Sequence, residues 1–397
     1  MTKMEQKILQ WIDARLLILF FIIINLLGIA IRMSGEAFVS KDASVFLLPW
    51  FEQIKGSGGF RALGNQVGDY NIPYQFLIAA LTYLPFNSLT LYKGLSVFFD
   101  YTLALGAALL ACEVLKKKIT NCSSVFVIVY ASVLFLPTVV INSSVWAQCD
   151  SIYTTFVIFS LLFLMKKKYK VAFAVLGLAF SFKLQTIFIL PFYLYYYFLV
   201  KKISFLNFTI TVLFFYIPSI PGFLCGRSIF DPISIYFLQS ENYPQMWLNF
   251  PSFWVFVGDN YEVLSKMAIL LTIFILGCGL FYVLFEKVDL LEQQNCLKTA
   301  IWSIWTCLIF LPAMHDRYGY MLEILLLIMA FINAKYIFGI VVTEITSILT
   351  YGYFLFQNSI NIQMLSCFYF VAYLGYSIMV VIDRKAAKNS RFDMCKG

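Results

Sequence analysis

Six ionisable side chains stand where apolar runs of this 397-residue chain give way to polar sequence: Asp42, Asp69, Asp150, Lys183, His315 and Arg317. A carboxylate in reach of a hydroxyl can take its proton, and Lys or Arg can hold the charge growing on a phosphate. Two aromatic plates, Trp146 and Tyr153, lie near the third acid, with Gln148 between. If 146–153 is helical, Trp146, Asp150 and Tyr153 fall at i, i+4 and i+7 on one face, which suits a polyhydroxylated ligand. The same face suits helix packing. Taken singly, each charge also has an ordinary role. Asp42 can cap the helix that comes after it, and Asp69 can serve the turn before Asn71 and Pro73. Lys183 can snorkel, and Arg317 can pair with Asp316 or a lipid phosphate.

The elements that position these groups are membrane helices. The chain is 61% hydrophobic and only 13% charged, outside the range of soluble globular domains. Apolar stretches of spanning length recur from end to end, so a polytopic all-α membrane protein with roughly ten to twelve helical segments in one integral-membrane domain, 1–397, is expected. An uncleaved first span covers 14–33, with its start in the cytoplasm. A long first extracytoplasmic loop comes next, at 34–73. In it Leu47, Trp50, Phe51 and Ile54 keep the spacing of a helix lying on the membrane surface, kinked at Pro49.

The stretch 74–86 is short for a span, whereas 91–115 is long but carries Lys93 and Asp100. Two full spans would leave Lys116, Lys117 and Lys118 outside, so one span with a broken or re-entrant piece is expected. Further segments are expected at 124–141, 152–165, 171–181, 187–200, 205–220, 263–285, 299–313, 322–332, 337–355 and 364–382. A second outer loop spans 222–259 and a basic cytoplasmic tail 383–397. On this topology all six ionisable groups fall at one membrane face.

The net charge of +8 sits in Lys/Arg clusters beside apolar segments, which mark cytoplasmic ends and anionic headgroups rather than nucleic acid. Nine cysteines without a Cys-x-x-Cys, and a single histidine, leave no metal site of Cys or multi-His type. Carboxylates leave Mg²⁺ or Mn²⁺ open. One reaction uses the whole set: transfer of a sugar from a lipid phosphate to a hydroxyl acceptor at the outer surface. The phosphate leaves readily without a general acid, the attacking hydroxyl needs a base, and cations meet the leaving charge.

Four strings occur in order: Gly68-Asp-Tyr-Asn-Ile-Pro-Tyr74, Ser144-Val-Trp-Ala-Gln-Cys-Asp150, Ser181-Phe-Lys-Leu-Gln-Thr-Ile-Phe188 and Pro312-Ala-Met-His-Asp-Arg-Tyr318. Together they resemble the GT-C glycosyltransferases, in particular bacterial proteins similar to the GPI mannosyltransferase II family, over about residues 14–330. The resemblance implies an inverting, multi-pass enzyme of the bacterial plasma membrane, using a polyprenyl-phosphate-linked hexose and a glycan, lipid-linked or polymer acceptor. It places the catalytic acid in the first outer loop, where Asp42 is the best match and Asp69 the second. Lys183, His315 and Arg317 then look like donor-phosphate ligands. Trp146, Gln148 and Asp150, with Tyr70, Tyr153 and Gln185, would shape the sugar or acceptor pocket. Asp316 stands where the family more often has Glu, and Ala147 where it often has Gly.

Two other classes fit the same composition. A lipid-linked-sugar flippase or polysaccharide transporter would use Asp100, Lys183, Glu323 and Glu344 as a polar path, although no inverted repeat is visible. A non-catalytic scaffold would use its charges only to satisfy one another.

Overall fold

The computed structural model describes residues 2–13, 15–119, 121–241 and 243–394. Residue 14, where the first span was expected to begin, and residues 395–397 of the expected tail lie outside the described residues. The chain is 77% helical; among the described residues six helices are long and apolar enough to cross a membrane, or seven if one bent pair counts as a span. Shorter apolar helices, among them Ile72–Leu81 and Tyr320–Ile332, accompany them. The protein is a multi-pass, all-α membrane protein. By its contacts the chain divides into two compact units, one of residues 1–182 and 214–227, the other of 183–213 and 228–397.

In the first unit, helix Leu16–Ser34 meets Ser88–Leu115 at a buried ion pair. Arg32 Nη2 lies 2.8 Å from Asp100 Oδ2, and its Nε donates to the same oxygen at 2.9 Å. The guanidinium also donates to Gly28 O and Leu134 O, and Ser143 Oγ donates to Asp100 Oδ2 at 2.6 Å. Burial of this charge is tolerable only because so many donors are met. Gly28 permits the close approach, since a Cβ there would lie 2.7 Å from the Tyr101 hydroxyl and 2.8 Å from Leu134.

The region 72–115 contains a ten-residue helix, Ile72–Leu81, and the 28-residue Ser88–Leu115. The first is too short to cross a bilayer, as its length of apolar sequence had suggested. Each begins at an asparagine whose side chain accepts a backbone N–H, Asn71 from Ile72 and Asn87 from Leu89. Lys93, an uncomfortable charge for a span, reaches Gly35 O, Glu36 O and Phe38 O with its Nζ. It thereby gathers three carbonyls just past the end of Leu16–Ser34.

The expected span at 124–141 is broken. Ser123–Leu134 and Pro137–Val145 meet at 53°, because proline disfavours helical backbone in the residue before it and Leu136 takes an extended ψ of 124°. The expected surface helix also needs correction. Its stripe keeps the predicted spacing, but Leu47, Phe51 and Ile54 are buried against Tyr74, Ile78 and Ile152 in the protein core. A widened π-helical stretch, Ala43–Leu47, immediately precedes Leu48–Gly56, which carries Pro49 in its first turn.

The second unit packs Leu184–Val200, Tyr261–Phe285, Gln293–Phe310, Tyr320–Ile332, Ala334–Phe356 and Ile362–Arg384. Trp305 is fully buried among Tyr369, Tyr373 and Tyr376. The stretch 222–259, expected as the second outer loop, holds the helix Asp231–Glu241 and a two-residue strand, Trp247–Leu248, that pairs in parallel with Met314–His315.

Replacing Arg32 by Leu strands Asp100 and should cost about 3–5 kcal/mol, read as a lower melting temperature in detergent. The double variant Arg32→Leu with Asp100→Leu should recover most of that loss. A double variant no more stable than the single one would show that the junction is held by something else.

Candidate functional site

The first-loop acid is held by the polar hinge. Trp146 Nε1 donates to Asp42 Oδ2 at 2.9 Å and Gln148 Nε2 donates to the same oxygen at 3.2 Å. Tyr70 OH donates to Gln148 Oε1 at 3.1 Å, extending the network to the end of the loop. Trp146 and Gln148 are buried, whereas Asp42 is half-buried, so a rigid frame presents a carboxylate that keeps access to its surroundings. Asp42 does not cap its helix with its side chain. Ser40 does that, accepting from Ala43 N at 3.1 Å and donating to Trp146 O at 3.1 Å.

The hinge itself is not continuous with the next helix. The π-helical stretch Ile141–Val145 ends at Trp146, Ala147 adopts a φ of 64°, and Asp150 opens the helix Asp150–Met165. The predicted common face of Trp146, Asp150 and Tyr153 therefore does not form. Ala147 takes left-handed backbone, a conformation that favours glycine. Asp150 is fully buried and accepts from Asn142 Nδ2 at 2.9 Å. Its carboxylate at a helix N-terminus is favourably placed against the helix dipole. Tyr153 is fully buried as well.

Asp69 lies in the turn before Asn71, on which Gln66 Nε2 closes by donating to Gly68 O and Tyr70 O. Gly68 has a φ of 71°, and a Cβ there would strike the Trp50 ring at 2.5 Å. Partial burial pushes the Asp69 carboxyl above the usual carboxylate value.

In the second unit three other predicted residues come together. Lys183, extended at φ −153°, precedes the 3₁₀ turn Leu184–Ile189 and is buried, as is Gln185. His315 is fixed through its backbone, paired with Leu248 and bridged to Asn249. Its ring stands edge-on to Tyr243 at 4.9 Å and tilted against Tyr318 at 5.1 Å. Burial, then the charges of Arg317 and Lys183, lower its pKa from about 6.5 to about 3. The imidazole is neutral at physiological pH, so it offers one N–H donor beside two cations. Asp316, buried, uses its backbone N–H to bond Leu248 O at 3.0 Å.

Reading by residue type missed the frame around these groups. Arg32 near the end of a spanning helix was a signal in plain view. Ser40 and Tyr243 carried none, since a serine and a tyrosine in polar loops are commonplace. Among the described residues no group of three or more His, Cys, Asp or Glu side chains gathers as a metal-ligand set. No family model matches this chain, and no curated protein matches it.

Because the chain has one histidine, its ring can be followed by NMR without assignment. The ring should stay neutral down to about pH 4. A group whose folded pKa is depressed stabilises the fold fully above its free value near 6.5, and that contribution drains away as pH falls towards about 3. Lys183→Ala or Arg317→Ala removes a repelling charge and should raise the His315 pKa. An unchanged titration in both variants would contradict the electrostatic cause.

Proposed function

We propose that this protein is an inverting membrane glycosyltransferase. It moves a hexose from a polyprenyl-phosphate donor to a hydroxyl acceptor on the extracytoplasmic side of a bacterial plasma membrane, in cell-surface glycan assembly. The observation that carries the reading is the half-buried Asp42 carboxylate, held by the neutral donors Trp146 and Gln148. The four sequence strings that resemble GT-C enzymes of the GPI mannosyltransferase II type add support, since Trp146, Gln148, Lys183, His315 and Arg317 all lie within them.

In this reading the acceptor oxygen attacks the anomeric carbon and its proton passes to Asp42 as the bond to the phosphate oxygen breaks. The leaving polyprenyl phosphate keeps the electron pair of that bond. Cations are wanted at that charge, and Lys183 and Arg317, with the neutral His315, are the candidate phosphate ligands of the second unit. Asp69, whose pKa is raised, is the second candidate for the base.

A structural reading of Asp42 draws on the same bonds, because with Ser40 they latch the first loop to the hinge. The transporter reading has less support, since Asp100 is committed to Arg32 and Ser143.

Asp42→Asn separates the catalytic reading from the latch. The amide oxygen still accepts from Trp146 and Gln148, so the melting temperature should hold, while transfer from a polyprenyl-phosphate hexose should fall by about 100-fold or more. Retained turnover would remove Asp42 from the chemistry. Lys183→Ala should raise the apparent KM for donor by roughly tenfold. His315→Gln, which keeps a donor, should retain partial activity; a variant as inactive as Asp42→Asn would mean that His315 transfers a proton.

A further inference from the structure

A cavity of about 300 Å³ opens in the second unit between three helices, lined by Cys278, Gly279, Tyr282, Trp302, Val380 and Arg384. The volume is at the lower end of the range for ligand pockets and fits part of one acyl chain. Its walls are apolar except at one end. There Arg384 Nη2 donates to Thr299 Oγ1 at 2.7 Å, and the Tyr282 ring lies 5.8 Å from the guanidinium carbon. Trp302 Nε1 donates to Ser377 Oγ at 3.1 Å, so the indole N–H is paired. The close seat of that indole depends on Gly279, where a Cβ would lie 2.3 Å from the ring.

Four observations define what the cavity suits. Its surroundings are the lipid-facing surface of spanning helices: Phe274, Phe281, Phe285, Ile378 and Ile382 are all exposed large apolar side chains. The neighbouring acid does not neutralise the cation at its mouth. Asp383 Oδ2 is taken by Lys298 Nζ at 2.8 Å and Tyr336 OH at 2.7 Å. The Arg384 Nε, shielded from water, has no hydrogen-bond partner among the described residues. Finally, the sequence just beyond adds Lys385, Lys388 and Arg391, a basic run of the kind that gathers anionic lipid.

We propose that this cavity is a binding site for one anionic phospholipid, with an acyl chain against Cys278, Gly279 and Val380 and the phosphate on Arg384. Guanidinium suits phosphate because its planar N–H donors match the oxygens, and an apolar groove continuous with the bilayer admits a chain from the side. The site is independent of the proposed transfer chemistry, since none of its residues belongs to the acid cluster around Asp42 or the cation cluster around His315.

Native mass spectrometry of the full chain in detergent tests this with phosphatidylglycerol, phosphatidylcholine of the same chains, and glycerol phosphate without chains. The expected result is one bound phosphatidylglycerol, preferred about fivefold over phosphatidylcholine. Arg384→Gln should abolish the preference. Cys278→Trp, which fills the cavity from its exposed side and leaves the cation in place, should weaken both lipids. Equal binding of the two lipids, binding unchanged in both variants, or equal binding of chainless glycerol phosphate would overturn the proposal.

Discussion

A guanidinium inside an apolar unit must find its counter-charge and its hydrogen bonds there, because lipid supplies neither. Arg32 finds them in Asp100, Leu134 O and Gly28 O. That one junction locks the C-terminal end of Leu16–Ser34 to Ser88–Leu115 and, through Ser143, to the helical stretch before the hinge. The chain downstream of Arg32 is left with little freedom. Lys93 gathers the carbonyls of Gly35, Glu36 and Phe38, and Ser40 and Asp42 land on Trp146 and Gln148. The placement of the candidate base is thus the last step of a sequence of satisfied buried polar groups.

Both clusters of candidate groups sit where regular helix is interrupted. In the first unit the interruption is the π-helical stretch and the left-handed Ala147. In the second it is the two-residue ladder, flanked by Asn249 at φ 58° and Ala313 at φ 57°. Irregular backbone exposes N–H and C=O groups, and the protein must pair them itself. Gln148 N bonds Asn142 O, and Ala313 N bonds Met246 O. Such breaks cost stability, and they are also the places where side chains are freed from helical direction to meet one another.

Periodicity proved a sound guide to which side of a helix is apolar and a poor one to what covers it. Leu47, Phe51 and Ile54 lie on one stripe as their spacing requires, yet protein covers them where lipid headgroups were expected. Apolar burial is non-directional, so the pattern is identical in both cases. The helical reading of 146–153 failed for a different reason. Nothing in alanine forbids helix, and the left-handed turn at Ala147 is imposed by the bonds that hold Trp146 and Gln148 on either side. Lys93 and Asp100 were visible as charges in an apolar run. Their partners, 58 residues away for one and 68 for the other, were not.

Sequence by itself determined that the chain is a multi-pass helical membrane protein, that 74–86 is too short to span, and which charged residues stand at helix ends. Those are local sums over apolar length and composition, and transfer free energy is close to additive. Tertiary structure alone decided which polar groups meet: that Asp42 belongs to Trp146 across 104 residues, that Asp150 is turned inward, and that His315 shares its surroundings with Arg317 and Lys183. Hydrogen bonds and ion pairs are directional and short-ranged, so their partners depend on where distant segments come to rest, and no local pattern encodes that.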